Sequence, residues 1–311
     1  MKPIPVILDT DIGDDIDDAY ALSLILRSPE LKLLGVTTVF GNSIARARQA
    51  QTVLSLAGRD DIPVAAGNGA VLSTYQAAWP KPNRHEGKPF SQPAYHLVAD
   101  IRPSQDKTCL PADKLPALDK RHGVDFLIET IMAGDGDIIP IAIGAFTNIA
   151  MAIIKEPRLI MKLPRIVVMG GTFDRLYAEW NIRCDPAAAA IVAESGIPMV
   201  WTGLDVTTKC VFNDADLERL NTAASPIARN LSAATKAWGG KYPTLHDPLA
   251  VETIFKPDIV SVKRGTVTVS QNRDATNAFT TFKEDANGQH EICVSVQARE
   301  AIAIWLDRVL A

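Results

Sequence analysis

Short apolar runs alternate with helix-like stretches along most of the chain. Six runs have the length of a strand, and most of them end in Gly, Asn or Asp: residues 6–9, 33–42, 62–68, 138–145, 165–171 and 197–205. Helix-like stretches lie between several of them, at 17–28, 45–58, 148–157 and 185–195. This alternation predicts an α/β fold, in which a mainly parallel central sheet carries helices on both faces. Ligands of such sheets bind beyond the carboxyl ends of the strands, where polar residues follow the apolar runs.

Two regions depart from the alternation. Residues 68–123 contain several prolines around "YQAAWPKPNRHEGKPF" and predict a long insertion within one domain that spans residues 1–311. Residues 262–296 alternate with a period of two, as in "GTVTVS" and "HEICVSV". This period predicts a hairpin or edge strands, a small C-terminal β element that precedes the last helix.

The composition is that of a globular protein. Of the 311 residues 47% are hydrophobic and 22% charged, and no segment approaches the apolar length of a membrane span. The formal net charge is −4, and no dense run of Lys or Arg occurs. Such a charge pattern provides no electrostatic surface for nucleic acid or anionic lipid, so a small-molecule partner is predicted.

The four cysteines identify no site. Cys109, Cys184, Cys210 and Cys293 match neither zinc-ligand nor redox spacing, which predicts unpaired thiols in a reducing compartment. No long apolar segment follows Met1, and this argues against an attached secretory signal. We therefore expect a cytoplasmic protein.

An acidic cluster directly follows the first apolar run. The stretch "VILDTDIGDDIDDAYAL" has six aspartates within ten positions: Asp9, Asp11, Asp14, Asp15, Asp17 and Asp18. Carboxylates this close repel one another and resist removal from water, and no Lys or Arg lies between Lys2 and Arg27. A bound cation, a helix N-terminus or solvent could each compensate the charge.

Three interpretations of the acidic cluster remain open on the residues alone. Helix capping accounts for one or two aspartates but hardly for six. The stretch "VILDTD" also matches the apolar-D-x-D motif at the start of haloacid-dehalogenase-type phosphatases, and in that case Asp9 would be the nucleophile. A different oxygen-ligated cation site is the third interpretation. An EF-hand does not fit, because positions six and twelve counted from Asp9 are Asp14 and Tyr20.

The motifs along the whole chain resemble those of the inosine-uridine-preferring nucleoside hydrolases. After the acidic stretch come, in the family's order, "VFGN" (39–42), "GAFTNIAMAI" (144–153), "VVMGG" (167–171), "EWNIRCDPAAA" (179–189), "GLDVT" (203–207) and "HDPLA" (246–250). The resemblance implies a nucleoside hydrolase fold with a Rossmann-like core, and hydrolysis of ribonucleosides to ribose and free base. Asp17 and Asp18 align with the family's Asp-Asp pair, so Asp14 and Asp15 form an extension of the motif.

The resemblance also implies a metal site and a base. It assigns one Ca²⁺ to Asp11, Asp18, Asp247 and the main-chain carbonyl of Ile143, an all-oxygen set that suits calcium. Asp11 would in addition be the catalytic base that removes a proton from a calcium-bound water.

Further residues align with the family's substrate contacts. Asp17, Asn42, Glu179 and Asn181 would contact the ribose, Met169 would supply an apolar contact, and His246 would protonate the leaving base. Each has a plainer interpretation: Asn42 as a turn residue, Asn181 as a loop cap, Met169 as core and His246 as a structural histidine. Asp185 and Asp205 are interpreted as helix or loop caps.

The base pocket and the assembly are the least defined features. Tyr75, Trp79, Trp238 and Tyr242 are aromatic residues that could stack on a nucleobase or simply pack. The segment "GGTFDRLYAEWN" is shorter than in the family and offers Asp174 and Arg175 in place of an asparagine contact. The family resemblance implies a homo-oligomer, a dimer or tetramer. A metal-dependent sugar-binding homologue without catalysis is an alternative function.

Overall fold

A nine-stranded sheet forms the centre of the protein. The computed structural model describes residues 2–73 and 103–311. Its strands are β1 (Ile4–Thr10), β2 (Leu31–Thr38), β3 (Val64–Ala66), β4 (Ile139–Ala142), β5 (Ile166–Met169), β6 (Met199–Thr202), β7 (Val260–Val269), β8 (Thr280–Glu284) and β9 (His290–Val296). The strand order is β3-β2-β1-β4-β5-β6-β9-β7-β8. All pairs from β3 to β9 are parallel, and β7 pairs antiparallel with β9 and β8.

Helices connect most of the parallel strands. They are α1 (Asp17–Leu26), α2 (Ser43–Leu56), α3 (Gly123–Ala133), α4 (Thr147–Lys155), α5 (Leu159–Lys162), α6 (Trp180–Cys184), α7 (Pro186–Ala193), α8 (Leu204–Thr207), α9 (Asp214–Thr222), α10 (Pro226–Trp238), α11 (His246–Phe255) and α12 (Ala298–Val309). Within residues 2–73 and 103–311, none of the helices has both the length and the apolar character needed to cross a membrane.

The central strand β1 shows why the sequence forms a sheet covered on both faces. Its side chains alternate between two apolar clusters, with Val6 and Leu8 in one and Ile7 in the other. The first cluster includes Tyr20 of α1 and Trp305 of α12, and the second includes residues of α3, α4 and α7. A strand buried on both sides has a continuous apolar run, as "VIL" has here.

The structure confirms the predicted α/β architecture and refines its C-terminal part. Residues 262–296 do form strands, as predicted, and β7 and β8 pair as antiparallel neighbours, but these strands extend the main sheet because β9 pairs with β6, and of the three only β8 lies at the edge. The predicted strand at 197–205 is shorter: β6 ends at Thr202, and Leu204 begins the short helix α8. Much of the predicted insertion at 68–123, including Tyr75 and Trp79, lies outside the described residues.

A buried glutamate on α11 carries a testable consequence for stability. Glu252 is 0% exposed, and neither carboxyl oxygen has a hydrogen-bond partner among the described residues. Burial raises its pKa well above the usual range, Arg308 opposes this shift and Glu300 adds to it. Because the folded pKa lies above the unfolded one, the folded state loses stability as the pH rises from about 4.3 through the folded pKa.

We therefore expect Glu252→Gln to unfold at a higher temperature than the unmodified protein at pH 8 but not at pH 4.5. The gain should grow as the pH rises above about 4.3, by at most about 1.4 kcal/mol per pH unit, because the amide does not titrate. Thermal unfolding across this pH range measures it. Glu218→Gln, at an exposed position of α9, is the control and should show no such trend. An equal stability difference at both pH values would contradict the prediction.

Candidate metal and active site

Three buried carboxylates meet beyond the carboxyl edge of the sheet. Asp17 and Asp18 lie in the first turn of α1, and Asp247 lies in the first turn of α11. Each offers an oxygen within 4.8 Å of the other two, and all three side chains are at most 4% exposed. In the described residues this is the one group of at least three His, Cys, Asp or Glu side chains with such spacing.

The electrostatics of this triad favour a cation. Burial raises the pKa of Asp17, Asp18 and Asp247 well above the usual range, and repulsion by neighbouring aspartates adds to each shift. Three ionised carboxylates at this distance need a compensating charge, and a divalent cation with oxygen ligands supplies it. The residues therefore fit a metal ion.

Asp11 lies beside the triad rather than within it. A Cβ built on Gly144 would be 2.9 Å from Asp11 Oδ1, so only glycine at 144 permits this close approach. Burial raises the pKa of Asp11 to about 6, and the nearby Arg46 guanidinium opposes the shift. The structure thus places Asp11 against the Ile143–Gly144 segment, where the sequence predicts a carbonyl ligand.

The threonine that ends β1 orients the loop of the acidic cluster. Thr10 Oγ1 donates a hydrogen bond to Asp18 Oδ1 and accepts one from the Ile12 amide at 3.1 Å. The hydroxyl therefore links the end of the central strand to the first turn of α1. This contact fixes one carboxylate of the triad relative to the sheet.

Glu179 and Asn181 hold the ends of β4 and β5 together. Glu179 is the N-cap of α6: its Oε1 accepts from the Asn181 amide at 2.9 Å, and its Oε2 accepts from the Gly171 amide at 3.1 Å. The Asn181 side-chain amide donates to the carbonyls of Ile143 (2.9 Å) and Met169 (3.2 Å). Burial raises the pKa of Glu179 to about 7. Asn181 is therefore more than the loop cap of its plainer interpretation.

Asn42 and Met169 have structural roles that are compatible with a substrate contact. Asn42 is the N-cap of α2, and its Oδ1 accepts from the Ala45 amide at 3.1 Å. Met169 is a buried residue at the end of β5. Both lie at the carboxyl edge of the sheet, where ligands of α/β proteins bind.

His246 begins α11, directly before Asp247. Its Nδ1 lies 2.7 Å from Thr207 Oγ1 of α8, and this is its one hydrogen bond within the described part of the chain. Burial lowers the pKa of His246 to about 4, so the imidazole is neutral at neutral pH in the absence of a nearby anion. The Thr207 contact fixes the ring and leaves Nε2 for another partner.

Asp9 lies beneath the site, where it is inaccessible. It is 1% exposed, and its Oδ1 accepts hydrogen bonds from Thr37 Oγ1 (2.6 Å) and Asn148 Nδ2 (2.8 Å). Burial raises its pKa to about 7. A nucleophile that attacks a phosphoryl group must reach the substrate, so this environment disfavours the phosphatase interpretation.

The chain matches a known family over nearly its whole length. The sequence model described as inosine-uridine preferring nucleoside hydrolase matches residues 6–303. The chain belongs to this family. Its members are metal-dependent ribonucleoside hydrolases, enzymes that act on N-glycosyl compounds. Of the three interpretations of the acidic cluster, this membership favours the oxygen-ligated cation site.

Individual relatives agree with this assignment. A probable uridine nucleosidase 2 of Oryza sativa subsp. japonica is 32% identical over 282 residues, which are 85% of this chain and 77% of the relative. The pyrimidine-specific ribonucleoside hydrolase RihA of an Enterobacter species is 32% identical over 273 residues, 82% of this chain and 80% of the relative. A solved plant nucleoside hydrolase has the same fold, with a TM-score of 0.80, 24% identity and 99% of each chain covered.

Two other residues that the sequence analysis singled out have structural roles. Asp185 caps α7 and also accepts from Thr147 Oγ1, and Asp205 accepts from the amides of Phe173 and Asp174. Both are caps, as predicted.

The two aromatic candidates within the described residues have partners away from the carboxylates. Trp238 packs against the apolar cluster on the α1 side, and Tyr242 donates to Asp214 at 2.7 Å. Packing for Trp238 and the hydrogen bond for Tyr242 are the contacts that the structure gives these two rings, and a role in base stacking stays a prediction.

The sequence prediction missed Arg46, the positive charge nearest to the acidic cluster. It lies on α2, is 4% exposed and forms an ion pair with Asp14 at 2.8 Å. Helical spacing could have indicated it, because Arg46 shares its helix face with Ala50 and Val53, which are buried. An arginine on a buried face needs a partner of opposite charge, and the acidic cluster is the nearest dense source.

Proposed function

We propose that the protein hydrolyses the N-glycosidic bond of ribonucleosides with a Ca²⁺ ion held by Asp11, Asp18, Asp247 and the Ile143 carbonyl. The observation that carries this proposal is the buried carboxylate triad with Asp11 beside it, in a chain of the nucleoside hydrolase family. Ligands that are all oxygen atoms suit calcium better than softer metals. When bound, the ion would raise the acidity of water and bind the substrate's hydroxyl groups.

Asp11 and the ribose contacts supply the chemistry of bond cleavage. Asp11 accepts the proton of the attacking water, while Asp17, Asn42, Glu179 and Asn181 bind the hydroxyl groups of the sugar and Met169 contacts its apolar face. Breaking an N-glycosidic bond develops positive charge on the ribose. The carboxylates of Asp17 and Glu179 stabilise that positive charge. A site that bound the sugar without cleaving it would not need this stabilisation.

His246 donates a proton to the departing base. Its hydrogen bond to Thr207 supports this role, because it fixes the ring beside the metal ligand Asp247. The base becomes negatively charged as it departs, and this charge favours the protonated imidazole despite the effect of burial on the pKa.

The assembly and the location of the protein are further expectations. We expect a homo-oligomer, a dimer or tetramer, and light scattering that returned the mass of one chain at micromolar concentration would reject it. We also expect a cytoplasmic enzyme, and no disulfide joins the four cysteines, all of which lie in the described residues. Its partner is a nucleoside or related riboside rather than nucleic acid or a membrane.

A release assay tests the proposed function. Protein depleted of metal is incubated with inosine, uridine and a nitrophenyl riboside, with and without added calcium, and the released ribose is measured. We expect release that depends on calcium. Binding of ribosides without release would instead support the sugar-binding alternative, and release unaffected by chelation would contradict the calcium site.

A further inference from the structure

A buried arginine contacts the loop that carries the proposed metal ligands. Arg46 of α2 is 4% exposed although its side chain is charged. Arginine is almost never buried this far without partners for its guanidinium. Its partners therefore indicate what the charge does in this protein.

All the contacts of Arg46 go to two segments at the carboxyl edge of the sheet. Its Nε donates to the Phe40 carbonyl at 2.7 Å, its Nη1 donates to the carbonyls of Asp11 and Ile12 (the latter at 3.2 Å), and its Nη2 donates to Asp14 Oδ2 at 2.8 Å. The planar guanidinium of arginine has three nitrogens that can donate such a set of directed bonds, whereas a lysine ammonium has all its donors on one nitrogen. Three of the four acceptors belong to the acidic loop itself.

The opposite side of the acidic loop is held by a second segment. The main-chain N–H of Gln105 donates to the Gly13 carbonyl at 3.1 Å, and its side-chain Nε2 donates to the Asp15 carbonyl at 2.7 Å. Gly13 has φ of 122°, and a Cβ at this position would lie 2.6 Å from Pro103 Cβ. The extended loop is therefore fixed between α2 and residues 103–105.

The arginine and the extension of the motif belong together. Asp14 is one of the two residues that lengthen the acidic motif relative to the family pattern, and it is the carboxylate that pairs with Arg46. Its side chain is 62% exposed, so the ion pair alone would contribute little to stability. The bonds from the same guanidinium to the Asp11 and Ile12 carbonyls link this pair to the main chain of the proposed ligand.

We propose that Arg46 is a positioning residue for metal binding: it fixes the main chain at Asp11 and Ile12, and Asp14 of the extension holds its guanidinium in place. This inference rests on the proposed metal site, in which Asp11 is a ligand. Residues outside the immediate ligand set that orient a ligand commonly affect metal affinity or activity by 10–100-fold.

The test measures calcium affinity as well as activity. Arg46→Lys keeps the charge but cannot bond three carbonyls and a carboxylate at once. We expect its affinity for calcium, measured by isothermal titration calorimetry on metal-depleted protein, to fall by about 10–100-fold. We expect kcat at saturating calcium to fall as well, while KM changes less. Arg48→Lys, at an exposed position of the same helix, is the control and should match the unmodified protein.

A second variant separates positioning from a general effect of charge. Asp14→Ala should weaken calcium binding in the unmodified protein, and its effect should largely disappear when combined with Arg46→Lys, because Asp14 acts through Arg46. If Asp14 acted only through its charge, Asp14→Ala would lower the calcium affinity by the same factor in the unmodified protein and in Arg46→Lys. If Arg46→Lys does not fold, Asp14→Ala is compared with Asp15→Ala, which removes a charge from the same loop but, within the described residues, no hydrogen bond to Arg46: a larger loss of calcium affinity in Asp14→Ala supports the proposal, and a loss no larger than that of Asp15→Ala overturns it.

The result that overturns the inference is a lower unfolding temperature of Arg46→Lys with unchanged calcium affinity and kcat. The failure of the proposed function would look different. In that case the unmodified protein itself would neither bind calcium nor release ribose.

Discussion

Replacing Asp11 with alanine is expected to lower the hydrolysis rate of every nucleoside and aryl riboside together. The substitution removes both a proposed metal ligand and the proposed base. General acid–base catalysis alone contributes about 10²–10⁴-fold, and the loss of a ligand adds to that, so the decrease in kcat should reach or exceed this range. Initial rates at saturating calcium measure it.

Two further variants define what the loss means. Asp11→Asn keeps the size and one ligand oxygen but cannot accept the proton, so it should remain inactive while still binding some calcium. Asp113→Ala, at an exposed position, is the control and should retain full activity. If Asp11→Ala kept more than about a tenth of the activity, far above what general acid–base catalysis allows, Asp11 would be neither base nor essential ligand.

Replacing His246 with alanine is expected to separate two kinds of substrate. A purine nucleoside has a poor leaving group and should lose about 10²–10⁴-fold in kcat, the usual contribution of general acid catalysis. The nitrophenolate released from a nitrophenyl riboside departs as a stable anion that needs little protonation, so hydrolysis of this substrate should be slowed far less. Parallel rate measurements on both substrates, with calcium binding checked by calorimetry, provide the test.

The aryl riboside is the internal control for the His246 variant. It reports whether metal binding and attack by water survive the substitution beside Asp247. Equal slowing of both substrates with calcium still bound would exclude His246 as the acid. The departing nucleobase would then need another proton donor or a pocket that stabilises its negative charge.

Local patterns predicted the fold because both faces of the sheet are buried. In β1 the uninterrupted "VIL" run reflects packing of Val6 and Ile7 into different apolar clusters, and this requirement is visible in the sequence itself. The boundary at Thr202 was placed too late because Gly203 and the short helix α8 follow in the same apolar run. Short helices of this kind have no periodicity to detect.

The family motifs named residues that the fold brings close together, but not how they are held. The resemblance assigned the ion to Asp11, Asp18 and Asp247 and the ribose to Asp17, whereas the carboxylates that meet in the structure are Asp17, Asp18 and Asp247, with 230 positions between Asp17 and Asp247. Arg46 and Gly144 escaped prediction because their importance arises from tertiary contacts with Asp11. Nothing in the local sequence pairs residues 46 and 144 with residue 11.

The extension at Asp14 and Asp15 shows where a family pattern reaches its limit. The pattern accounts for one residue between glycine and the aspartate pair, and the structure shows the additional residues held by Arg46 and Gln105. The sequence alone could not distinguish an exposed insertion from one that is tied to the site. That distinction depends on contacts with Arg46, which is 32 positions from Asp14, and with Gln105, which is 90 positions from Asp15.

A crystal structure of the protein grown with calcium tests the account most directly. We predict one ion bonded to Asp11, Asp18, Asp247 and the Ile143 carbonyl at about 2.3–2.6 Å, the range typical of calcium. Calcium bound by Asp9 with Asp14 or Asp15, or by the triad of Asp17, Asp18 and Asp247 without Asp11, would contradict it.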